Sequence, residues 1–391
     1  MTDYKNYQEQ YKLYLDEHTL PFWLKHSPDD VNGGFFTSID RQGQVYDTDK
    51  FMWLQARQVW TFSMLYNNYQ QHDDFLSMVK NGAAFLQKNG RDSDGNWYFA
   101  LSIEGKPLVQ PYNIFSDCFA AMAFAQASQA LQSDEYKTLA VKTFRNIKAR
   151  QENPKGKYNK AYPGNRELKN FALPMILCNL VLELEDVLPT EEVEQTLHQN
   201  VDLIFNEFYQ QDTGLILENV GPGGASVDTY DGRLLNPGHG IEAMWFVMDV
   251  AKRWNDRPLL EKAGQIALKI LEYGWDHEFG GIFYFMDYKN KPPQQLEWDQ
   301  KLWWVHLETL IAMAKAFRYT GKPEFMQWFS KVHDYSWQHF ADHEYGEWFG
   351  YLNRRGEILL PLKGGKWKGC FHVPRALYQI YKTFEAIENE K

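Results

Sequence analysis

Apolar side chains recur at helical spacing along most of the chain. Five segments have apolar residues three and four positions apart and are therefore predicted to be helices; they span 51–66, 115–131, 168–184, 241–254 and 303–319. A second helix follows each of them, for example over 74–88, 191–209 and 259–273. Pairs of consecutive helices thus repeat along the sequence.

A short turn motif lies between the helix pairs. It joins an acidic or polar residue, a glycine and a short apolar or aromatic run, and its glycines are Gly34, Gly95, Gly214, Gly280 and Gly346. Successive glycines lie roughly 65 residues apart, except for one gap about twice as long, in which segment 156–164 is a divergent copy. Six units account for the whole chain, so we expect one domain over residues 1–391.

Two helices and a hairpin, repeated six times, predict an all-α fold. The expected architecture is an (α/α)6 barrel, or toroid, with short β-hairpins in the connecting loops. An open solenoid is the alternative, but solenoid repeats are usually about 33–47 residues long and lack a hairpin. In a closed toroid the inner helices begin at one rim, so their N-termini and the hairpins surround a single pocket.

One histidine stands at the predicted start of an inner helix in the fourth unit. Asn236 is a preferred N-cap and Pro237 suits the first helical position. His239 therefore falls in the first turn, with Glu242 one turn on, near the same face. The two glycines that flank His239 are expected to leave space for a ligand beside the imidazole. The alternative is a histidine that caps the helix or packs in the core.

A second histidine holds the equivalent place in the last unit. Pro374 belongs in a first helical turn, which puts His372 at the mouth of the last inner helix. Closure of the ring would bring His239 and His372 towards a common centre. The pair is therefore a stronger candidate than either histidine alone.

Further candidates lie on the inner helices themselves. Arg57 follows Trp53 by four residues on an apolar and aromatic face, and a buried arginine needs either a protein carboxylate or an oxygen-rich ligand. Trp304 and Glu308 share one face of a later helix. An Arg57–Glu308 structural ion pair is thus the alternative to substrate binding. His306 points elsewhere on that helix and is interpreted as structural.

Composition excludes several classes of function. The formal net charge is −10, whereas a nucleic-acid or membrane binder needs a positive surface. No segment approaches the ~20 apolar residues of a membrane span, and residues 1–5 have no apolar signal character. Cys118, Cys178 and Cys370 lie far apart, without metal-ligand spacing. We expect reduced thiols, no metal site and a cytoplasmic protein.

The candidate residues favour proton transfer. A glycosidase would place two carboxylates across a scissile bond, whereas the best-placed rim residues are imidazoles, which exchange protons near neutral pH. Inverting a carbon beside a carbonyl requires one group that removes a proton and another that delivers one to the opposite face. His239 and His372 fit this scheme. Helix N-termini would keep an imidazole neutral and, with Arg57, stabilise an enediolate. No metal or redox cofactor is required.

Four motifs carry a resemblance to a known family. FMWLQAR at 51–57, NPGHGIE at 236–242, WWVHLE at 303–308 and KGGKWKGCFH at 363–372 resemble N-acylglucosamine 2-epimerases, and especially the cyanobacterial branch. Mammalian members are also called renin-binding proteins, and cellobiose 2-epimerases are more distant relatives. The resemblance implies an (α/α)6 barrel, usually a homodimer, that interconverts N-acetylglucosamine and N-acetylmannosamine after ring opening.

The resemblance also implies roles for individual residues. The acid/base pair falls on His239 and His372. The family's essential arginine falls on Arg57 and its essential glutamate on Glu308. Besides these two, our own candidates for substrate binding are Glu242, Trp304, Trp53 and Asn113. Which histidine faces which side of C2 is left open.

The family is also activated by ATP that is not consumed, which makes ATP an expected allosteric activator. The basic loop of the divergent third unit is a candidate site for its phosphates: Gly156, Lys157, Lys160, Gly164 and Arg166. The loop lacks a phosphate-binding P-loop motif, and a solvated basic loop is the alternative. Two other functions stay open: an epimerase or isomerase of another aldose, such as mannose or cellobiose, and a non-catalytic interaction protein of the renin-binding type.

Overall fold

The computed structural model describes residues 4–162 and 164–390. The helices of these residues, α1 to α13 in chain order, are Tyr4–Tyr14, Leu20–His26, Met52–Asn68, Asp73–Asn89, Phe115–Ala130, Asp134–Arg150, Ala172–Glu183, Thr190–Leu203, Pro237–Arg253, Arg257–Gly274, Trp303–Thr320, Pro323–His339 and His372–Asn389. One π-helical turn, Leu15–Thr19, joins α1 to α2, and another, Ile204–Phe208, extends α8. Short 3₁₀ turns occupy Gly156–Tyr158 and Pro222–Gly224.

The strands are two or three residues long. In chain order β1 to β13 are Ser38–Ile39, Val45–Asp47, Lys50–Phe51, Ala100–Leu101, Pro107–Val109, Lys169–Asn170, Tyr209–Gln210, Leu215–Ile216, Asn219–Val220, Leu234–Leu235, Met286–Asp287, Lys301–Leu302 and Tyr351–Leu352. All pairings are antiparallel: β1 with β2, β3 with β4 and β4 with β5, β6 with β9, β7 with β8, β10 with β11, and β12 with β13. The strand just before an inner helix thus pairs with the hairpin of the following unit. These strand pairs connect neighbouring units along the rim of the barrel.

Two concentric layers of helices make up the fold. The inner helices α3, α5, α7, α9, α11 and α13 contact one another in sequence, and α4, α6, α8, α10 and α12 each pack against the inner helix that precedes them. The remaining outer helix is α1, which packs on α13: Tyr4 and Tyr7 stack on Phe384 at centroid distances of 6.0 and 5.3 Å. Tyr378 donates to the carbonyl of Asn68 and closes α13 on α3. The fold is an (α/α)6 barrel, as predicted.

Local chemistry moves some helix starts away from the predicted limits. The helix expected from residue 168 begins at Ala172, because residues 169 and 170 form β6 and the Asn170 side chain accepts a hydrogen bond from the Ala172 amide at 3.1 Å. The apolar pattern that starts at residue 241 lies within a helix that begins at Pro237, the first helical position expected after the Asn236 cap. The helix expected over 191–209 is regular α-helix only to Leu203, where the π turn begins.

The predicted repeat glycines all occupy left-handed turns, with φ between 73° and 86°: Gly34, Gly95, Gly214, Gly280 and Gly346. At Gly346 a side chain is also excluded by packing, because a Cβ atom would lie 2.3 Å from the carbonyl oxygen of His18. The divergent copy has its own positive-φ glycine, Gly156, at 51°. The repeat therefore reflects a common turn that follows each outer helix.

Buried ion pairs anchor the same point in two units. Lys50 is the first residue of β3 and Lys301 is the first residue of β12, the strands just before α3 and α11, and both side chains are inaccessible to solvent. Lys50 binds Asp29 at 2.7 Å and Lys301 binds Asp276 at 3.0 Å. Each aspartate belongs to the turn that follows an outer helix. Because a buried charge is tolerated only when paired, these contacts fix the starts of α3 and α11 relative to the rim.

Apolar packing is continuous through the barrel. One cluster of buried side chains runs from Tyr11 to Phe384 and includes residues of every inner helix. Cys118, Cys178 and Cys370 are buried in it as free thiols. Among the described residues, no helix combines the length and apolar character needed to cross a bilayer.

Candidate active site

A cavity of ≈ 540 Å³ opens at the rim where the inner helices begin. Each inner helix contributes to its wall, with Arg57, Phe119, Met175, Glu242, Trp304 and Arg375 from α3 to α13 in turn. Of the residues predicted from the sequence, His239, His372, Arg57, Glu242, Trp304, Trp53 and Asn113 line this cavity. Glu308 is fully buried behind it. The predicted active-site residues are therefore brought together.

His239 is held at the start of α9 by its backbone and by a carboxylate. The Asn236 side chain caps the helix by accepting from the His239 amide at 3.2 Å, and Pro237 occupies the first turn, as predicted. The imidazole Nδ1 lies 3.0 and 3.1 Å from the two oxygens of Glu218. An ionised carboxylate only accepts hydrogen bonds, so Nδ1 carries a hydrogen and Nε2 is the nitrogen available to the cavity.

The flanking glycines serve packing rather than ligand space, which corrects the sequence-based expectation. A Cβ atom on Gly238 would lie 2.7 Å from the Trp304 ring, and one on Gly240 would lie 2.8 Å from Ile270. The first glycine therefore lets Trp304 approach α9 closely. The second lets α10 pack against α9.

His372 is the first residue of α13 and is buried. Its Nδ1 lies 2.7 Å from Oε1 of Glu308. The other oxygen of Glu308 accepts from the Trp245 indole N–H at 2.9 Å, which fixes the orientation of the carboxylate. His372 is thus built like His239: a carboxylate holds Nδ1 and leaves Nε2 available.

Arg375 is an active-site residue that the sequence reasoning missed. One of its terminal nitrogens donates to Glu242 at 2.8 Å and to Glu308 at 2.6 Å, and all three side chains are buried. The signal was its position one turn after His372 in the same helix. Glu308 therefore pairs with Arg375, and the Arg57–Glu308 ion pair considered from the sequence does not form.

Glu242, Glu308 and His372 also lie close enough to share an ion, since one ligand atom from each falls within 4.8 Å of the others. Arg375 already binds both carboxylates, and Glu308 already binds Nδ1 of His372. A guanidinium in this position supplies the positive charge that a metal would bring. This donor set favours an arginine-centred network over a metal site.

Arg57 lies among aromatic rings instead of carboxylates. Its guanidinium carbon is 4.5 Å from the ring centre of Trp53, 3.9 Å from that of Phe119 and 4.7 Å from that of Phe371. Its Nε is buried and has no hydrogen-bond partner among the described residues. Burial lowers the pKa of Arg57, an effect that Glu242 opposes. An arginine in this environment is suited to bind an oxygen-rich ligand in the cavity.

The two imidazoles differ in electrostatic environment. Burial lowers the pKa of His239, but the adjacent Glu218 carboxylate outweighs burial and the net pKa is raised. The pKa of His372 is well below its ordinary value because of burial and the nearby Arg57 and Arg375. At His239 the carboxylate of Glu218 therefore opposes the preference for a neutral imidazole that was expected at a helix N-terminus. For His372 the neutral form is favoured, chiefly by burial and the two arginines.

Trp304 separates the two histidines. Its ring centre is 5.3 Å from that of His239 and 5.9 Å from that of His372. Trp53 forms an edge contact with Trp367 at the mouth of the cavity, and Asn113 accepts from the Phe115 amide at the start of α5. Much of the cavity wall is thus aromatic. The two imidazoles lie on either side of Trp304.

His306 is structural, as predicted. It is fully buried, its Nδ1 lies 2.8 Å from the carbonyl of Leu302 and its Nε2 accepts from the amide of Ile282 at 3.1 Å. Burial lowers its pKa to about 3. Both nitrogens are therefore engaged by backbone, and neither is available to a ligand.

The predicted nucleotide-binding residues do not line the active-site cavity. Gly156, Lys157, Lys160, Gly164 and Arg166 are exposed. A second cavity of ≈ 920 Å³ lies beside their loop, and its wall includes Lys148, Lys155 and Lys169. The two cavities share Asn113, Phe115 and Trp367. A ligand in the second cavity would therefore contact residues at the edge of the first.

Glu218 was also missed. It belongs to the turn motif of the fourth unit, between β8 and β9, and its sequence context indicates only a hairpin residue. Its amide donates to the carbonyl of Leu234 at 3.0 Å, and its carbonyl accepts from the amide of Phe171 at 2.9 Å. These bonds hold Glu218 at the rim, opposite the start of α9. Only the pairing of neighbouring units brings it to His239.

Comparisons with known proteins show which family the chain resembles over most of its length. Residues 34–376 match the family model described as N-acylglucosamine 2-epimerase (GlcNAc 2-epimerase). The N-acylglucosamine 2-epimerase of Rattus norvegicus is 38% identical over 377 residues, covering 94% of this chain and 90% of the relative. That of Homo sapiens is 38% identical over 380 residues, covering 95% and 88%.

A solved structure supports the same fold. Cellobiose 2-epimerase from Bacillus thermoamylovorans B4167 superimposes with a TM-score of 0.84 at 21% identity, over 97% of this chain and 99% of the other. At this identity the likeness concerns the barrel alone. The family match and the mammalian relatives span nearly the whole chain, and their shared activity is the epimerisation of a sugar. The chain therefore belongs to the N-acylglucosamine 2-epimerase family and is a sugar isomerase.

Proposed function

We propose that this enzyme interconverts N-acetyl-D-glucosamine and N-acetyl-D-mannosamine by inverting C2 of the ring-opened sugar. The observation that carries the proposal is the pair of imidazoles, each held at Nδ1 by a carboxylate and both lining the same cavity. The identity of the sugar is carried over from the mammalian relatives. We further propose that residues 1–391 form one catalytic domain.

Each proton has a defined donor and acceptor in this mechanism. The neutral histidine on one side takes the proton from C2, and the electrons of the C2–H bond form a C1–C2 double bond while the aldehyde oxygen becomes an enolate oxygen. The histidinium on the other side then gives its Nε2 proton to the opposite face of C2, and the aldehyde re-forms. After one turnover the histidine that was neutral is protonated and the other is neutral. Proton transfer through solvent restores the starting protonation states.

The surrounding charges suit this intermediate. Arg57, whose guanidinium has no carboxylate partner among the described residues, is available to the enolate oxygen. Glu218 and Glu308 stabilise whichever imidazolium forms. Trp304 provides a flat apolar surface between the rings, of the kind that packs against the carbon skeleton of a sugar. No resident metal or redox cofactor is required for these proton transfers.

Epimerisation in D₂O tests the proposal directly. With N-acetylglucosamine as substrate, we expect N-acetylmannosamine that carries deuterium at C2, because the hydrogen delivered to C2 comes from the opposite histidine, whose N–H has exchanged with D₂O. NMR of the C2 position measures this label. Product without deuterium would contradict transfer through histidines. A panel that includes mannose, glucose and cellobiose separates the proposal from an epimerase of another aldose, and lack of turnover on every sugar would favour a non-catalytic binding protein.

We also propose that ATP activates the enzyme without being consumed and binds across the second cavity and the basic loop beside it. The lysines on its wall and the exposed Lys157, Lys160 and Arg166 supply positive charge for phosphates. Contact with Asn113 and Trp367 would link occupancy to the active site. These residues support a site that spans the second cavity and the predicted loop.

Nucleotide activation has a clear expected result. ATP and a non-hydrolysable analogue should raise kcat equally, with no release of phosphate. Lys155→Met and Lys160→Met should each weaken half-maximal activation about tenfold, because each removes one charged contact to phosphate. Lys137→Met, at an exposed position on α6, is the matched control. Activation that survives both loop changes would place the nucleotide elsewhere.

The cellular setting is a further part of the proposal. The free thiols Cys118, Cys178 and Cys370 are buried, as is usual in proteins of the reducing cytoplasm. We propose a cytoplasmic homodimer, the assembly that the family resemblance implies.

A further inference from the structure

The two histidines are built alike at Nδ1, but their surroundings carry opposite charge. Glu218 is the carboxylate on His239, and no arginine or lysine among the described residues pairs with it. Glu308, the carboxylate on His372, is shared with Arg375. The negative charge of Glu218 beside His239 is thus not compensated by a basic side chain among the described residues. The negative charge of Glu308 beside His372 is compensated by the guanidinium of Arg375.

The groups on the other elements packed against His239 leave this asymmetry in place. The charged or titratable groups around its ring are Glu218 before β9, Glu242 on its own helix, Tyr284 from the loop before α11, and His372 beyond Trp304 on α13. Glu242 is bound by Arg375, which leaves Glu218 as the dominant negative group. Tyr284 is neutral at ordinary pH, since burial raises its pKa.

We propose that Glu218 is a positioning residue for His239, which orients Nε2 towards C2 and keeps the single exchangeable proton of the histidine pair on His239 in the resting enzyme. This inference rests on the proposed two-histidine mechanism. The resting enzyme then holds His372 as the neutral base and His239 as the acid. The substrate epimer whose C2–H faces His372 meets a pair that is already in the productive state.

The proposal makes a specific statement about pH. Both directions of the reaction use a pair with one proton in total, so both lose activity when that proton is lost. The carboxylate of Glu218 raises the pKa of His239, so the proton is retained to higher pH. In Glu218→Gln the charge is gone while burial remains, so the pKa of His239 falls. The alkaline limb of kcat/KM should then move to lower pH by about one unit, equally for both epimers.

Two measurements on the full-length protein test this. The pH profile of kcat/KM is recorded for each epimer, and the ring-nitrogen resonances of isotopically labelled histidine are titrated, with His239 assigned by its disappearance in His239→Asn. Glu218→Asp keeps the charge and should recover most of the wild-type profile. Glu278→Gln, which removes an exposed carboxylate paired with Arg354, is the matched control. Circular dichroism establishes that each variant folds.

Each outcome has a distinct meaning. The inference is supported when the His239 titration and the alkaline limb both move to lower pH in Glu218→Gln and neither moves in Glu278→Gln. A His239 titration that does not move, or a pH profile that stays in place while the titration moves, overturns it. A wild-type enzyme that exchanges no C2 hydrogen on any sugar overturns the proposed function instead, and the titration still reports whether Glu218 charges His239.

Discussion

His239→Asn and His372→Asn are each expected to lower the epimerisation rate by roughly 10²–10⁴-fold, the usual contribution of a general acid or base. The distinguishing result concerns exchange. Each variant should still incorporate deuterium at C2 of one epimer, the one whose C2–H faces the remaining histidine. That ring can remove the proton, exchange it with D₂O and return a deuteron to the same face. The two variants should exchange complementary epimers. Proton NMR in D₂O follows both reactions in one sample.

The control for this pair is His277→Asn, a change at an exposed position. It should leave epimerisation and exchange unchanged. Full turnover in both active-site variants on every sugar tested would show that the catalytic assignment is wrong. Exchange of the same epimer by both variants would contradict a two-sided mechanism and point to one base that serves both faces.

Much of the fold could be predicted because its information is local. Helical periodicity and positive-φ glycines repeat in each unit, and both are visible within a few residues of sequence. Ring closure is different: Tyr4 and Tyr7 meet Phe384 across nearly the whole chain. No sequence pattern links such distant positions. The start of α7 was misplaced for a related reason, because β6 forms only through its pairing with β9.

The same distinction applies to the site. His239 and His372 could be placed because Asn236, Pro237 and Pro374 define helix starts through local backbone chemistry. Their carboxylate partners could not be assigned in this way. Spacing alone does not determine which arginine reaches Glu308, because this depends on how side chains pack across three helices.

The aromatic rings decide the different positions of the two arginines. Phe119 and Phe371 hold the Arg57 guanidinium at the cavity, whereas the Arg375 guanidinium lies over Phe371 and Trp245, within reach of the carboxylates. One arginine therefore has its charge neutralised by protein groups. The other lies on the cavity wall without a carboxylate partner among the described residues, and this difference leads to opposite expectations for stability.

Arg57→Met is expected to lower kcat/KM by roughly 10²–10³-fold, the usual effect of losing one group that stabilises an oxyanion, while the melting temperature stays the same or rises. No carboxylate loses a hydrogen-bonding partner in this variant, and methionine suits the apolar cage formed by the rings of Trp53, Phe119 and Phe371. Arg375→Met should instead lower the free energy of unfolding by about 3–5 kcal/mol, because Glu242 and Glu308 would be left as buried, uncompensated charges. Thermal unfolding and steady-state kinetics on both variants measure the contrast.

Chemical rescue separates a binding role for Arg57 from a purely structural one. In Arg57→Ala the cage between Trp53, Phe119 and Phe371 would be vacant, and guanidinium ion at concentrations far below those that denature should restore part of the lost activity. The same additive should not help His372→Asn, which lacks the base instead of the cation. If Arg57→Met unfolds as readily as Arg375→Met, or if guanidinium restores nothing in Arg57→Ala, then Arg57 supports the fold and the enolate oxygen must be stabilised by another group in the cavity.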